Sequence, residues 1–227
     1  MDELISLSKK VSLFKDLSNE ELQLFLNIMH KKSYSNKEII FLHDTSITTV
    51  YIVAKGNVKV FRNDLSGKEQ IICVKQSGDL FPNVGFFRTE NYPAHAQAIE
   101  ETTLYAISLQ QFEEILTNNP SIAIKLFRLL GDLIVDSQQR LEEMTLRNAS
   151  ERILLLLLRL SESHGTPSAP GWLKLNTRFT NTDLANMVGT SRESVNRMIS
   201  QLRKDKKIKV IDGNYFIAVE KIEQELS

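Results

Sequence analysis

Two arginines, a carboxylate and an amide lie close together near the C-terminal end of the chain: Arg192, Glu193, Asn196 and Arg197. At about 100° per residue they share one arc of a helix predicted from Arg192 to about Lys204, while Val195, Met198, Ile199 and Leu202 share another. The apolar arc holds such a helix to its domain. The polar arc then projects two guanidiniums, a carboxylate and an amide from the N-terminal half, where a recognition helix meets base edges. A guanidinium donates to guanine and a carboxylate accepts from the cytosine amine, so these residue types suit major-groove reading. From Trp172 to Asp212, Lys174, Arg178, Arg192, Arg197, Arg203, Lys204, Lys206, Lys207 and Lys209 outnumber Asp183, Glu193, Asp205 and Asp212 by five charges. That excess suits phosphate neutralisation beside base reading. A merely solvated charged helix would leave the apolar arc and the elements around it as coincidence.

Those elements are legible on either side. Thr180 caps a short helix, with Asp183 at the third position after it, and Gly189 ends it. Ser191 caps the second helix after a turn of the length used by a helix-turn-helix, and Ala185, Gly189 and Val195 are small or apolar where the two helices must touch. Ile208 to Ile211, the turn Asp212-Gly213-Asn214 and Tyr215 to Val219 predict a hairpin, the wing that often follows such a unit. Thr180, Ser191, Arg192, Glu193, Asn196, Arg197 and Lys204 are therefore the candidate DNA-binding residues. Upstream, Asn148 to Glu151 cap a helix carrying Ile153 to Leu160, which makes Arg147 and Asn148 a candidate hinge. Ser161 to Gly171, with Gly165, Pro167, Pro170 and Gly171, reads as a loop.

The N-terminal half has a different period. Ser18-Asn19-Glu20-Glu21 is a capping box, and Leu22, Phe25, Leu26 and Met29 follow on one helical face. From Lys37 to Ser108 come runs rich in Val, Ile, Tyr and Phe: Glu38 to His43, Thr49 to Lys55, Asn57 to Arg62, Glu69 to Lys75, Ala94 to Ile99 and Thr102 to Ser108. Gly56, Asn63-Asp64, Ser66-Gly67 and Gly78-Asp79 punctuate them, which predicts a small jelly roll. Asn119-Pro120 then sets a cap and a first-turn proline for a helix running to about Arg147. Within it Phe127, Leu130, Ile134, Ser137, Leu141 and Met144 alternate spacings of three and four, a seam that suits either a second copy of the helix or the chain's own sandwich. The predicted fold is α+β in three parts: a β-roll over 1–118, a long helix over 119–147 and a winged helix-turn-helix over 148–227.

Composition bounds the rest. With 227 residues, 42% apolar, the chain is long enough for one large or two modest cores. Twenty-eight Lys and Arg balance twenty-eight Asp and Glu, which excludes a wholly basic histone-like protein while allowing a local basic face. The single cysteine, Cys73, makes no internal disulfide and holds no four-cysteine zinc or iron-sulfur site, so a reducing compartment is expected. The longest aliphatic run, Ile153 to Leu158, falls far short of the roughly 20 residues a membrane span needs. Met1-Asp2-Glu3 lacks the basic region of a leader, so the cytosol is the expected location, with no membrane partner. A nucleophile elbow, a phosphate-binding glycine loop and an HExxH motif are absent from the sequence.

Val188-Gly189-Thr190-Ser191-Arg192-Glu193-Ser194-Val195-Asn196-Arg197 resembles the recognition-helix signature of the Crp/Fnr superfamily of transcription regulators. Val50-Tyr51-Ile52-Val53-Ala54-Lys55-Gly56, Gly67-Lys68-Glu69 and Gly78-Asp79 resemble the cyclic-nucleotide-binding fold of the same family. The resemblance runs from Leu13 to Val219. It implies a sensory β-roll, a dimerisation helix and a winged helix-turn-helix, hence a homodimer on double-stranded DNA at an inverted repeat with half-sites similar to TGTGA. It therefore favours a second copy as the partner of the Phe127 to Met144 seam. It also implies a polymerase-contacting surface where related activators have one, here the segment Ser161 to Gly171.

The cassette that follows Gly-Asp departs from the family. Its cyclic-nucleotide binders carry a glycine and a glutamate, then an arginine and a serine for the phosphate; the matching places here are Pro82, Asn83, Tyr92 and Pro93. Proline removes an N–H that could cradle an anion, and neither Asn nor Tyr brings positive charge, so control by cyclic AMP is not expected. The oxygen-sensing branch needs four cysteines for its cluster, and one exists. Cys73, Pro82, Asn83, Tyr92, Pro93 and Ser137 remain as a candidate effector pocket, but they name no effector, and no cofactor or metal is expected. Cys73 reads more simply as inert strand core, and Ser137 equally as a polar register-setter in the seam. His95, near the cassette, has no close partner in sequence among His30, His43 and His164 for ligating haem or metal. The reading of another class, a cupin-like metal-binding enzyme or small-molecule-binding protein on the same jelly roll, needs a His and carboxylate cluster on facing strands.

Overall fold

The computed structural model describes residues 7, 10–83 and 91–226, so the reading of Met1-Asp2-Glu3 lies outside the described residues. A 3-10 turn, Ser12–Phe14, precedes helix α1, Asn19–Leu26. Strands β1 (His30–Tyr34), β2 (Ile39–Phe41), β3 (Thr49–Lys55), β4 (Val58–Asn63), β5 (Glu69–Lys75), β6 (Leu80–Phe81), β7 (His95–Ala98) and β8 (Thr102–Ser108) follow. One sheet has the order β1-β8-β3-β6 and the other β2-β7-β4-β5. The jelly roll expected from the alternating runs is therefore present.

β3 and β8 are apolar almost without interruption because both their faces are covered. Tyr51, Val53, Leu104 and Ala106 point between the sheets, where they meet Phe41, Val58, Phe81, Tyr92 and Ala96. Val50, Ile52, Tyr105 and Ile107 point the other way, into a cluster with Phe14, Phe25, Phe112, Leu116, Ile122 and Leu126. The tight turn that carries the chain from β3 in one sheet to β4 in the other is made at Gly56, φ +84°, where a Cβ would stand 2.7 Å from the Glu101 carbonyl oxygen. β1 carries no strand pattern in sequence: its His-Lys-Lys-Ser-Tyr side chains are mostly exposed on an edge strand, where lysines discourage further pairing.

Helix α2, Leu109–Asn118, has no side-chain cap, so only its stripe Leu109, Phe112, Ile115 and Leu116 marks it. The expected Asn119 cap of the long helix is corrected. Asn119 Nδ2 donates to the Ile115 carbonyl at 2.8 Å and so closes the end of α2 instead. Pro120 still opens helix α3, Pro120–Leu146, at a position where its missing N–H forfeits no intrahelical bond.

α1 is tied to the first turns of α3 through Glu21. Its carboxylate accepts from Ser121 Oγ at 2.7 Å, from the Ser18 N–H at 2.9 Å and from Lys125 Nζ at 2.9 Å. Ser121 first, then the Ser18 amide and Lys125, hold this carboxyl at about 2 against an ordinary 4.5. Between those values the unfolded chain binds a proton that the folded chain refuses. The contribution of Glu21 to stability is thus complete above 4.5 and is lost as pH falls towards about 2. Urea midpoints measured across that range should fall less steeply for Glu21→Gln than for the unaltered protein; parallel curves would deny Glu21 this role.

By packing, the chain divides into two compact units, residues 1–67 with 72–137 and residues 68–71 with 138–227. The helix break itself falls at Arg147 and Asn148, where Asn148 Oδ1 accepts from the Ser150 and Glu151 amides and caps helix α4, Ala149–His164. In the second unit Arg159 Nη1 donates to both carboxylate oxygens of Glu143, at 2.6 and 2.5 Å, which joins the last turns of α3 to α4. Strands β9 (Gly165–Ala169) and β10 (Trp172–Leu175), helices α5 (Asn181–Val188) and α6 (Arg192–Lys204), strands β11 (Ile208–Ile211) and β12 (Asn214–Ile217) and helix α7 (Val219–Leu226) complete it, in a sheet of order β11-β12-β10-β9.

Two expectations are corrected in this unit. Ser161 to Gly171 is not a loop. α4 continues to His164 because Ser161 and His164 are buried, with the Ser161 hydroxyl donating to the Leu157 carbonyl at 2.8 Å. The chain then turns directly into β9, an edge strand that tolerates Pro167 opposite Leu173. The wing hairpin also stops early, at Ile217, because Val219 starts α7 and buries Ile222.

Candidate nucleic-acid interface

The helix-turn-helix is built from its caps. Thr180 Oγ1 accepts from the Asp183 N–H at 3.1 Å, while the Asp183 carboxylate accepts from the Thr180 N–H at 2.8 Å and its hydroxyl at 2.7 Å. The Thr180 hydroxyl is thus spent inside the cap. α5 ends where Gly189, at φ +73°, sends its N–H to the Ala185 carbonyl at 2.9 Å, a left-handed conformation that glycine adopts at no steric cost. Two residues later Ser191 Oγ accepts from the Ser194 N–H at 3.1 Å and starts α6. Leu184, Ala185 and Val188 of α5 and Val195, Ile199 and Leu202 of α6 are buried, as the apolar arc predicts.

Arg192, Glu193 and Arg197 are exposed along the N-terminal half of α6, and Lys204 is exposed in its last turn. An Arg197 guanidinium nitrogen donates to Ser194 Oγ at 3.2 Å, and Ser194 lies 3.0 Å from the capping Ser191 hydroxyl. Its own backbone amide, then the Ser191 hydroxyl, hold the Glu193 carboxyl below the usual carboxylate range, so it is a pure acceptor at neutral pH. Asn196 differs. It is half-buried, and its Oδ1 accepts from Asn181 Nδ2 at the start of α5. Asn181 Oδ1 in turn accepts from the Tyr215 hydroxyl of β12 at 2.5 Å. Burial, with the charge of Asp183, pushes the Tyr215 phenol up to about 12 and keeps it protonated.

The basic cluster is partly committed within the domain. Lys207 pairs with Glu225 of α7, and Lys209 Nζ lies 4.0 Å from the centre of the Trp172 ring. The wing turns on Asp212 and Gly213, both at positive φ, 51° and 76°, as a two-residue hairpin of type I′ requires.

The cassette positions lie in the β-roll. Tyr92 is buried, its ring stacked on Phe41 with centres 3.9 Å apart and planes within 9°, and its hydroxyl donates to the Thr49 carbonyl at 3.1 Å. Tyr51 stacks on Phe81 at 5.4 Å, and burial pushes its phenol up to about 12. Pro82 is buried, Pro93 exposed and Asn83 half-buried, with its side-chain amide between the Leu80 carbonyl and Lys75 Nζ. Cys73 is half-buried on β5. His95 Nδ1 accepts from the His43 N–H at 3.1 Å, and its ring stacks on Phe61 at 5.1 Å. Burial, then the neighbouring His43 and Arg62, hold the His95 imidazole below its ordinary value, so it is neutral. The candidate pocket residues therefore separate into a buried aromatic group around Tyr92 and surface positions such as Pro93 and Ser137. Phe41 and Tyr51 close around Tyr92; in the sequence they belong to strand runs whose pattern marks them only as core.

On α3, Phe127, Ile134, Leu141 and Met144 are 62, 59, 66 and 60% exposed, an uncovered apolar stripe along one face. Leu130 instead packs on the helix-side core of its own domain. Ser137 is exposed and sends its hydroxyl to the Leu133 carbonyl at 2.8 Å. Among the described residues no helix is long and apolar enough to cross a membrane.

Two family descriptions match, "Cyclic nucleotide-binding domain" over residues 31–119 and "Crp-like helix-turn-helix domain" over residues 151–224. The chain is 26% identical over 201 residues to the cyclic AMP receptor protein of Thermus thermophilus, covering 88% of this chain and 89% of that protein. It is 28% identical over 204 residues to the regulatory protein HlyX of Actinobacillus pleuropneumoniae, covering 88% and 82%. The solved structure of FixK2 from Bradyrhizobium japonicum has the same fold, with a TM-score of 0.76 at 20% identity over 87% of this chain and 96% of that one. With both domains matched in the order in which they were built above, the chain belongs to the Crp/Fnr superfamily of DNA-binding transcription regulators.

Proposed function

We propose that this protein is a cytosolic homodimer that reads an inverted repeat with half-sites similar to TGTGA, and that cyclic AMP does not control it. The observation that carries the reading is the capped α6 helix with Arg192, Glu193 and Arg197 exposed along its N-terminal half. Arg192 and Arg197 each donate to a guanine, and the ionised Glu193 accepts from a cytosine amine. Ser191 and Lys204 contribute at the phosphates. The exposed stripe of α3 supports a second copy as its partner, which sets two recognition helices about one DNA turn apart. In this division of labour residues 1–118 form the roll, 119–147 the dimer helix and 148–227 the DNA-binding domain, with the segment Ser161 to Gly171, which holds the mostly exposed β9, offered to RNA polymerase.

The case against cyclic AMP rests on charge. A cyclic phosphate carries a full negative charge, and burying it without a guanidinium or a set of backbone donors costs several kcal/mol. Tyr92 stands where the arginine is expected and stacks on Phe41 inside the roll, so an aromatic side chain occupies space that a ligand would need. DNA binding without a ligand, with control at the level of expression, fits this interior better than an effector acting through the hinge at Arg147 and Asn148.

Calorimetry with millimolar cyclic AMP is expected to give no saturable heat, and operator affinity is expected to stay unchanged when it is added. A saturable signal or a tightened DNA complex would overturn this reading of the cassette. In gel shifts with random duplex DNA, binding should weaken steeply with salt. An enzyme on the same roll would show no such binding.

A further inference from the structure

Three elements of the winged domain are joined by a short polar chain: Tyr215 on β12 donates to Asn181 at the start of α5, and Asn181 donates to Asn196 on α6. We propose that Tyr215 and Asn181 are positioning residues that decide which end of the Asn196 amide faces the DNA, and so which bases Asn196 accepts. The inference rests on the base-reading role proposed above for α6.

Each link has a direction. The Tyr215 phenol is protonated and donates to Asn181 Oδ1, which leaves Asn181 Nδ2 pointing at Asn196. An amide carries its carbonyl and its amine on opposite sides, so turning Asn196 Oδ1 inward turns its Nδ2 outward. Asn196 sits one turn after exposed Arg192 and one turn before buried Ile199, at the border of the polar arc, and is itself half-buried.

The chemistry of base edges then follows. An asparagine with both ends free pairs with adenine through N6 and N7, giving one hydrogen bond and taking the other. With Oδ1 turned inward onto Asn181, Asn196 offers the DNA only its Nδ2 donors. Guanine offers such a donor O6 and N7, and thymine offers O4. Adenine N7 also accepts, but the N6 amine beside it opposes a second donor, and cytosine offers only an amine, so neither suits a donor as guanine or thymine does. One position of each half-site, beside those read by Arg192 and Arg197, is therefore a guanine or thymine in preference to an adenine or cytosine.

Asn181→Asp tests the relay without emptying it. A carboxylate only accepts, so it takes the Tyr215 hydroxyl and the Asn196 amine, and the Asn196 amide turns over to present Oδ1. Selection of bound sequences from a randomised duplex library, using the full-length protein, should show that position switching to adenine or cytosine, by about fivefold for one hydrogen bond. Asn181→Ala and the isosteric Tyr215→Phe release the amide and should flatten the preference at that position alone, and neither adds charge near the phosphates. Unchanged bases at the Arg192 and Arg197 positions in all three variants report that α6 is folded and seated. The same base preference in the unaltered protein and every variant overturns the relay while leaving the DNA-reading role intact. An unaltered protein that selects no sequence overturns that role, and the relay falls with it.

Discussion

Replacing Ile134 and Leu141 together with glutamate is expected to convert the protein to monomers and to abolish operator binding in the same step. Both side chains are more than half exposed, on the face of α3 that also carries Phe127 and Met144. Fully burying an aliphatic side chain of this size contributes roughly 1.5 to 3 kcal/mol, and a two-fold contact counts each one twice. Carboxylates at the same places would be desolvated beside their own symmetry mates, which reverses the sign. A monomer keeps one recognition helix and loses the linked second half-site, which is worth about 10² to 10⁴ in affinity. Leu130 is a poorer choice for this test, because it packs on the core of its own domain and its replacement would also destabilise the roll. Sedimentation equilibrium is the measurement. A doubly substituted protein that melts normally and is still dimeric would show that another face joins the two chains.

Arg192→Ala is expected to lower affinity for the operator far more than affinity for random duplex. A bidentate arginine–guanine contact contributes roughly 1 to 3 kcal/mol of discrimination, so specific binding should weaken by about fivefold to more than a hundredfold. A contact to phosphate alone would weaken both kinds of DNA alike. Arg192 is exposed in the first turn of α6, directly after the Ser191 cap, so truncating it removes no buried contact and should leave the melting temperature unchanged. Titrations against operator and scrambled duplex at one salt concentration separate the outcomes; equal losses on both would assign Arg192 to the backbone.

Much of this architecture is legible in the order of residues. The capping boxes at Ser18, Asn148 and Thr180, the left-handed Gly189 and the Asp212-Gly213 turn all lie where short-range pattern puts them. Thr49–Lys55, Glu69–Lys75 and Thr102–Ser108 are strands over the ranges that their alternation predicts. A cap, a turn or a period is an agreement among residues three or four apart, so the chain carries it before it folds. Where local pattern is weak, as in the lysine-bearing edge strand β1 or the buried polar residues Ser161 and His164 at the end of α4, neighbouring residues mark no strand or suggest a loop.

Tertiary structure decided which candidate side chains remain available. The stripe on α3 looks uniform in sequence, yet Leu130 turns to its own core while Phe127, Ile134, Leu141 and Met144 stay uncovered. Lys207 and Lys209 counted equally in the basic cluster until Glu225 and Trp172 took them up. Tyr92 could be seen to replace an arginine, but its stacking on Phe41 depends on the pairing of β2 with β7, which sets Phe41 opposite Ala96. Asn196 belonged with Arg192 and Arg197 on the helical arc, and only the approach of Asn181 and Tyr215 from other elements turned its carbonyl inward. Periodicity assigns a residue to a face of its own element; which atoms meet across elements is set by strand register and by helix packing, and these depend on partners distant in the chain.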